Sequence, residues 1–132
     1  MATLTASVSL VSAAADALSD NISFTASKAI TLATNGDVVQ RTHTVAVASS
    51  DGDLIVDVSA YSGPVLVYVK NINSADIDCH LQAAEDTAVT AGYMKIQPGV
   101  FALFPWDNNA DLYACSSSST CDIEVMIFEL TD

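Results

Sequence analysis

The stretch Thr3-Leu-Thr-Ala-Ser-Val-Ser-Leu10 alternates strictly between hydroxyl-bearing and apolar residues. Consecutive side chains of a β-strand point to opposite faces, so this period of two predicts a strand with one apolar face. The pattern recurs in Ile22–Leu32, where Lys28 alone interrupts the apolar phase, and in Leu54–Ser59. Alternation of this kind dominates the chain and indicates an all-β protein.

Turn-forming residues separate the alternating segments. Asn and Gly both tolerate positive φ, and Pro ends a regular strand, so clusters of these residues mark chain reversals. The predicted turns are Asn35-Gly36-Asp37, Ser50–Asp53, Ser62-Gly63-Pro64, Asn71–Asp76, Pro98-Gly99 and Asp107-Asn108-Asn109. The strands predicted between them include Val38–Ala48, Leu54–Ser59, Val65–Val69, Ile77–Leu81, Tyr93–Ile96, Val100–Phe104 ended by Pro105, Leu112–Cys115 and Ile123–Leu130.

This spacing predicts an antiparallel β-sandwich or jelly roll of about eight to ten short strands. The nearly continuous apolar run Val65–Val69 is typical of a central strand covered on both faces. Cys79, Val125, Ile127 and Phe128 are the further core candidates. At 132 residues, the chain (residues 1–132) is expected to form a single domain.

The charge balance bears on the partners of the protein. Sixteen acidic and four basic residues give a net charge of −12. Binding to nucleic acid or to an anionic membrane needs clustered Lys and Arg, so neither is expected. The sequence contains no apolar stretch of about 20 residues that would predict a membrane helix. Because no positive charge precedes Lys28, the N-terminal segment is not predicted to be a signal peptide either.

Charged residues make up only 15% of the chain, against about 25% in an average soluble domain. Interface centres are depleted in charge, so one explanation is that much of the surface is covered by neighbouring subunits. The alternative is a monomer whose surface is rich in hydroxyl groups. Composition does not decide between the two.

Residues that carry chemistry are few. Cys115 and Cys121 flank the loop Ser116–Thr120 and would form a disulfide if the flanking strands pair them; the alternative is three free thiols. His80 follows Cys79, but adjacent side chains of a strand diverge, so zinc binding is not expected there or at His43. Aspartates near turns suggest either a calcium site or, as we favour, ordinary turn formers: Asp51, Asp53, Asp76, Asp78, Asp107 and Asp111.

The sequence also lacks the motifs of common enzyme classes. It contains neither a Gly-x-Ser-x-Gly nucleophile elbow nor a glycine-rich phosphate loop. Trp106 follows Pro105 at a strand end and is either a packing anchor or a platform for a sugar ring. We therefore predict a non-enzymatic protein with no catalytic, metal-binding or cofactor-binding residues.

Five segments resemble small structural proteins of tailed bacteriophages, of the jelly-roll type found in capsid decoration (cement) proteins. They are Leu54–Tyr61, Val65–Asn73, Ile96–Phe104, Asp111–Ala114 and Ile123–Leu130. The likeness covers about residues 54–130 and includes no active-site motif. It implies a subunit that forms oligomers on the virion, and residues 1–20 would then be an N-terminal assembly arm.

The resemblance and the composition together lead to one expectation of function. The chain is expected to decorate the outer surface of the capsid as a homo-oligomer, with a trimer favoured, and to bridge copies of the major capsid protein. The alternatives are a component of the phage tail, fibre or baseplate, and a carbohydrate- or receptor-binding module.

Overall fold

The computed structural model describes residues 3–11, 23–32, 39–45, 52–83, 94–107 and 109–131. Apart from one 3-10 turn at Val58–Ala60, the regular structure of these residues is entirely β. The strands are β1 (Thr3–Val11), β2 (Ser23–Thr31), β3 (Val39–Val45), β4 (Asp53–Val56), β5 (Val65–Asn71), β6 (Cys79–Gln82), β7 (Met94–Ile96), β8 (Phe101–Trp106), β9 (Leu112–Ser116) and β10 (Cys121–Glu129). The predicted all-β class is confirmed.

Eight of the ten strands form two four-stranded antiparallel sheets. The first sheet has the order β3-β10-β5-β8, and the second has the order β4-β9-β6-β7. From β3 to β10 every connection except β6–β7 crosses from one sheet to the other. This order of strands is that of a jelly roll.

The centre of the first sheet shows how the sequence produces the sandwich. In β10 the residues Cys121, Ile123, Val125 and Ile127 are buried, while the residues between them are exposed or half-buried. Strand β10 lies between β3 and β5, so its period-two pattern places one apolar row on the inner face of the sheet. The predicted core positions Val125 and Ile127 are confirmed.

The two inner faces pack into a single core. Burying a Val, Leu or Ile side chain contributes about 1.5–3 kcal/mol, so this cluster is the main source of stability. Both sheets contribute to it, through Val45, Ile55, Val56, Val65, Val67, Val69, Cys79, Leu81, Ile96, Leu112, Ala114, Cys121, Ile123, Val125 and Ile127. Cys79 is completely buried, as predicted.

Several sequence expectations about the strands need correction. The strand predicted over Leu54–Ser59 ends at Val56, because a β-bulge interrupts its pairing and the Asp57 side chain caps the following 3-10 turn. Pro105 does not end its strand but lies within β8, opposite Leu66. Strand β8 is at the edge of its sheet, where a missing backbone N–H is tolerated.

Phe128 is predicted to lie in the core but does not lie there. It is half-buried on the outer face of the first sheet, since it alternates with the inward-facing Ile127. The expectation that Val65–Val69 is covered on both faces holds only in part. Leu66 on the outer face is buried, but Tyr68 is half-buried.

The predicted turns include one that is present as expected and one that begins later in the chain. The Pro98-Gly99 turn joins β7 to β8, and Gly99 has the positive φ of 76° that favours glycine. Asn71 belongs to β5 rather than to the turn that follows it. The turn at Asn35-Gly36-Asp37 lies outside the described residues, as do Ser50, Asp51 and Asn108 in the other predicted turns.

Strands β1 and β2 form a separate two-stranded antiparallel ribbon, and Thr3–Val11 pairs with Ser23–Thr31 along its whole length. Leu32 forms an isolated bridge with Leu130 at the end of β10, which joins the ribbon to the first sheet. The predicted assembly arm, residues 1–20, contributes β1 to this ribbon.

Candidate interaction surface

The outer face of the first sheet carries a row of apolar side chains. Register places Tyr68 opposite both Leu103 and Met126, so the three side chains project from the same face. The Tyr68 and Phe101 rings lie with their centroids 5.9 Å apart. We call this surface the outer sheet face; its apolar members are Leu66, Tyr68, Phe101, Leu103, Met126 and Phe128.

Two of these six apolar side chains are open to solvent, while the other four are half-buried or buried. Phe101 is 61% exposed and Leu103 is 37% exposed. An exposed Phe next to other apolar side chains is a common feature of protein–protein contacts, whereas isolated apolar residues on a surface are ordinary. The outer sheet face is therefore a candidate contact surface.

One end of the outer sheet face is polar. Glu124 lies opposite Lys70, and Asp122 accepts a 2.6 Å hydrogen bond from Thr44 Oγ1. Partial burial and the nearby Glu124 carboxylate together raise the pKa of Tyr68 above its ordinary value. The surface thus changes from acidic to apolar along β10.

The ribbon has two chemically different faces. On one face Leu4, Val8 and Leu10 of β1 lie opposite Ile30, Ala26 and Phe24 of β2. We call this surface the ribbon face; it also contains Ala6 and Lys28. Hydroxyl side chains dominate the other face, which also carries Ala29 and, at its end, the exposed Val11. The apolar phase and its interruption at Lys28 are those predicted from the sequence.

Where the ribbon joins the first sheet, the ribbon face and the outer sheet face point to the same side. Leu32 is bridged to Leu130, and directly opposed residues of a pair project to the same face. Alternation relates Leu32 to Ile30 along one strand and Leu130 to Phe128 along the other. The ribbon therefore continues the apolar surface beyond the end of β10.

The outer face of the second sheet is more polar. Its register places His80 opposite both Lys95 and Cys115. Lys95 Nζ lies 2.6 Å from Asp78 Oδ2, which ties β7 to the segment before β6. Burial lowers the pKa of His80, and the Lys95 charge acts in the same direction while Asp78 opposes both. Leu54 is the exposed large apolar residue of this face.

All three cysteines are free and buried, so the Cys115–Cys121 disulfide is not formed. Cys121 faces the core from the first sheet, while Cys115 alternates with the core residue Ala114 and points to the outer side of the second sheet. The neighbour of Cys121 is instead Cys79. A hydrogen bond between these thiols, with burial, raises the pKa of Cys79, and the same bond lowers that of Cys121.

Where the structure describes them, the histidine and aspartate candidates meet in at most one pair. His43 Nε2 lies 3.5 Å from Asp53 Oδ2, across the gap between β3 and β4. Asp111 accepts a hydrogen bond from the Val58 amide, and Asp107 accepts one from Asn109. Among the described residues, His, Cys, Asp and Glu form no group of three or more that could hold a metal ion.

Trp106 serves the packing of the sandwich. Its side chain is half-buried against the core, and its Nε1 donates a 2.7 Å hydrogen bond to the carbonyl of Ala110. The edge of its ring meets Phe104, with centroids 6.3 Å apart. A cleft of about 130 Å³ beside it is lined by apolar side chains and Gln82.

Comparisons with protein-family models, with curated proteins and with solved structures find no match to this chain. In the described part of the chain, none of the helical structure has the length and apolar character needed to span a membrane.

Proposed function

We propose that this protein is a virion structural subunit of a tailed bacteriophage, which decorates the outer surface of the capsid. In this proposal it assembles as a homo-oligomer, with a trimer favoured, and bridges copies of the major capsid protein. It acts mechanically and not as an enzyme, since buried interfacial area ties neighbouring capsid subunits together.

The outer sheet face is the observation that carries the proposal. A sheet face that presents a 61% exposed Phe101 beside Tyr68 and Leu103 is suited to burial against another protein. The jelly-roll order adds support at the level of fold, since this architecture recurs in viral capsid and lectin domains, although a fold alone does not define a function.

The net charge of the chain supports a position on the outside of the capsid. A net charge of −12 disfavours contact with packaged DNA and is compatible with the exterior. Low charge density over the remaining surface also suits a protein whose faces are covered in an assembly.

The proposal is tested by light scattering of the purified chain, followed by rebinding to capsids that lack the protein. We expect an oligomer that binds capsids saturably. Leu103→Ser on the outer sheet face should weaken self-association at least tenfold. Leu54→Ser is the matched control, because Leu54 is 42% exposed, close to the 37% of Leu103, but lies on the second sheet.

Two results would contradict the proposal. One is a chain that stays monomeric and does not bind capsids. The other is an equal loss of association in the Leu103→Ser and Leu54→Ser variants, because the outer sheet face would then have no special role.

A further inference from the structure

We infer that the ribbon face of one copy packs on the outer sheet face of a second copy of this chain. The inference rests on the homo-oligomer of the proposed function and names the contact that holds it together. One copy contributes its ribbon to the contact, and the neighbouring copy contributes the outer face of its first sheet.

The ribbon needs packing on at least one of its faces. An isolated two-stranded ribbon is marginally stable in water, and additional strands or packing against another element normally stabilise it. The ribbon face leaves Val8 44%, Leu10 56% and Phe24 52% exposed. Because the opposite face carries mostly hydroxyl groups, the ribbon has one side suited to water and one suited to protein.

The ribbon is poorly placed to cover its own sheet. Its face points to the same side as the outer sheet face, since Leu32 lies opposite Leu130. The amide and hydroxyl of Thr131 both bond to the carbonyl of Thr31 and fix this junction. Folding back would break these bonds, whereas a second copy that faces the first meets the ribbon directly.

The two surfaces match in length. Each ribbon strand has nine residues, as does β10 at the centre of the first sheet. At about 3.3 Å per residue, both surfaces are about 30 Å long. A ribbon about 10 Å wide thus covers roughly 300 Å², and a pair that exchanges ribbons buries about 1,200 Å² in total, the lower limit for specific interfaces.

The charges of the two surfaces are complementary. Lys28 is the only charged residue of the two ribbon strands and lies within the ribbon face, opposite Ala6. The outer sheet face carries Glu124 and Asp122 at its polar end, where Lys70 of the same copy lies opposite Glu124. In an acidic chain, a Lys within an apolar face is well explained by an acidic partner, and we assign Glu124 to that role.

Two copies that exchange ribbons form a reciprocal pair with two-fold symmetry, whereas a head-to-tail contact from ribbon to sheet closes into a ring, such as a ring of three copies. Light scattering of the full-length chain measures which of these forms. The decisive variants are Lys28→Glu, Glu124→Lys and the double variant that carries both changes, with circular dichroism as the check on folding.

We expect each single charge reversal to weaken self-association at least tenfold, because it places like charges opposite each other. The double variant should return to within about threefold of the original chain, since the contact between copies regains an opposite pair. The lysine placed opposite Lys70 within one copy is common to Glu124→Lys and to the double variant. Thr25→Glu is the control, because Thr25 lies on the hydroxyl face of the ribbon opposite Ser9; it should leave association unchanged.

The inference is overturned if the chain is monomeric, if the double variant associates as weakly as the single ones, or if Thr25→Glu weakens association equally. These results are distinguishable from failure of the proposed function. If Leu103→Ser dissociates the oligomer but the double variant does not restore association, another element covers the sheet and the capsid role stands. If the double variant restores association but the protein does not bind capsids, the ribbon contact stands and the capsid role fails.

Discussion

Asn71 is the buried polar residue whose removal should cost the most stability. Its side chain is completely buried at the end of β5, where Nδ2 donates to the carbonyls of Ile77 at 2.8 Å and Ile96 at 3.0 Å. Its Oδ1 accepts a 3.1 Å hydrogen bond from the amide of Asn73. One side chain of the first sheet therefore holds two backbone segments of the second.

Replacement by leucine, Asn71→Leu, keeps a similar volume but leaves both carbonyls without this partner. Each buried polar group left unsatisfied costs about 1–3 kcal/mol, so the two carbonyls together cost about 2–6 kcal/mol, and the apolar replacement regains about 1–2 kcal/mol of burial. We expect a net loss of about 1–4 kcal/mol in the free energy of unfolding. For a domain of this size, that lowers Tm by roughly 4–15 °C.

The assay is urea and thermal unfolding followed by circular dichroism, at one fixed protein concentration so that self-association does not change the comparison. Asn109→Leu is the matched control, because Asn109 is exposed and its bond to Asp107 lies on the surface; it should change stability by less than about 0.5 kcal/mol. If Asn71→Leu is as stable as this control, the assigned role of the buried amide is wrong.

Three further predictions concern titration and thiol pairing. Hydrogen bonds from the hydroxyl and amide of Ser62 lower the pKa of Glu129. The Glu129 carboxylate therefore stabilises the fold at pH values above its ordinary pKa of 4.5, and this stabilisation is lost as the pH falls through the lowered pKa. Glu129→Gln should therefore reduce Tm at pH 7 and have progressively less effect in acid; a pH-independent difference would contradict this. Burial lowers the pKa of His80, so its NMR titration midpoint should lie below 6.5, and His80→Gln should lessen the loss of stability as the pH falls below 6.5. After refolding in a glutathione redox buffer, any disulfide found by peptide mapping should join Cys79 to Cys121, whose thiols share a hydrogen bond, and a bridge from either to a third cysteine would refute that pairing.

The candidate surface could be predicted from the sequence only in part. The ribbon face follows directly from the alternation, including the break at Lys28, because a local period of two assigns side chains to faces. The outer sheet face does not follow. The run Val65–Val69 is apolar at every position, so its sequence does not show that Tyr68 remains partly exposed.

The amino-acid sequence by itself determined the β class, the positions of most strands and the division of each strand into two faces. These properties depend on neighbours along the chain. The tertiary structure decided which strands pair, that Phe128 faces outwards and that Cys121 meets Cys79 rather than Cys115. Such contacts join segments far apart in sequence, as Leu32 joins Leu130, and the choice among strands of similar pattern depends on the packing of the whole core.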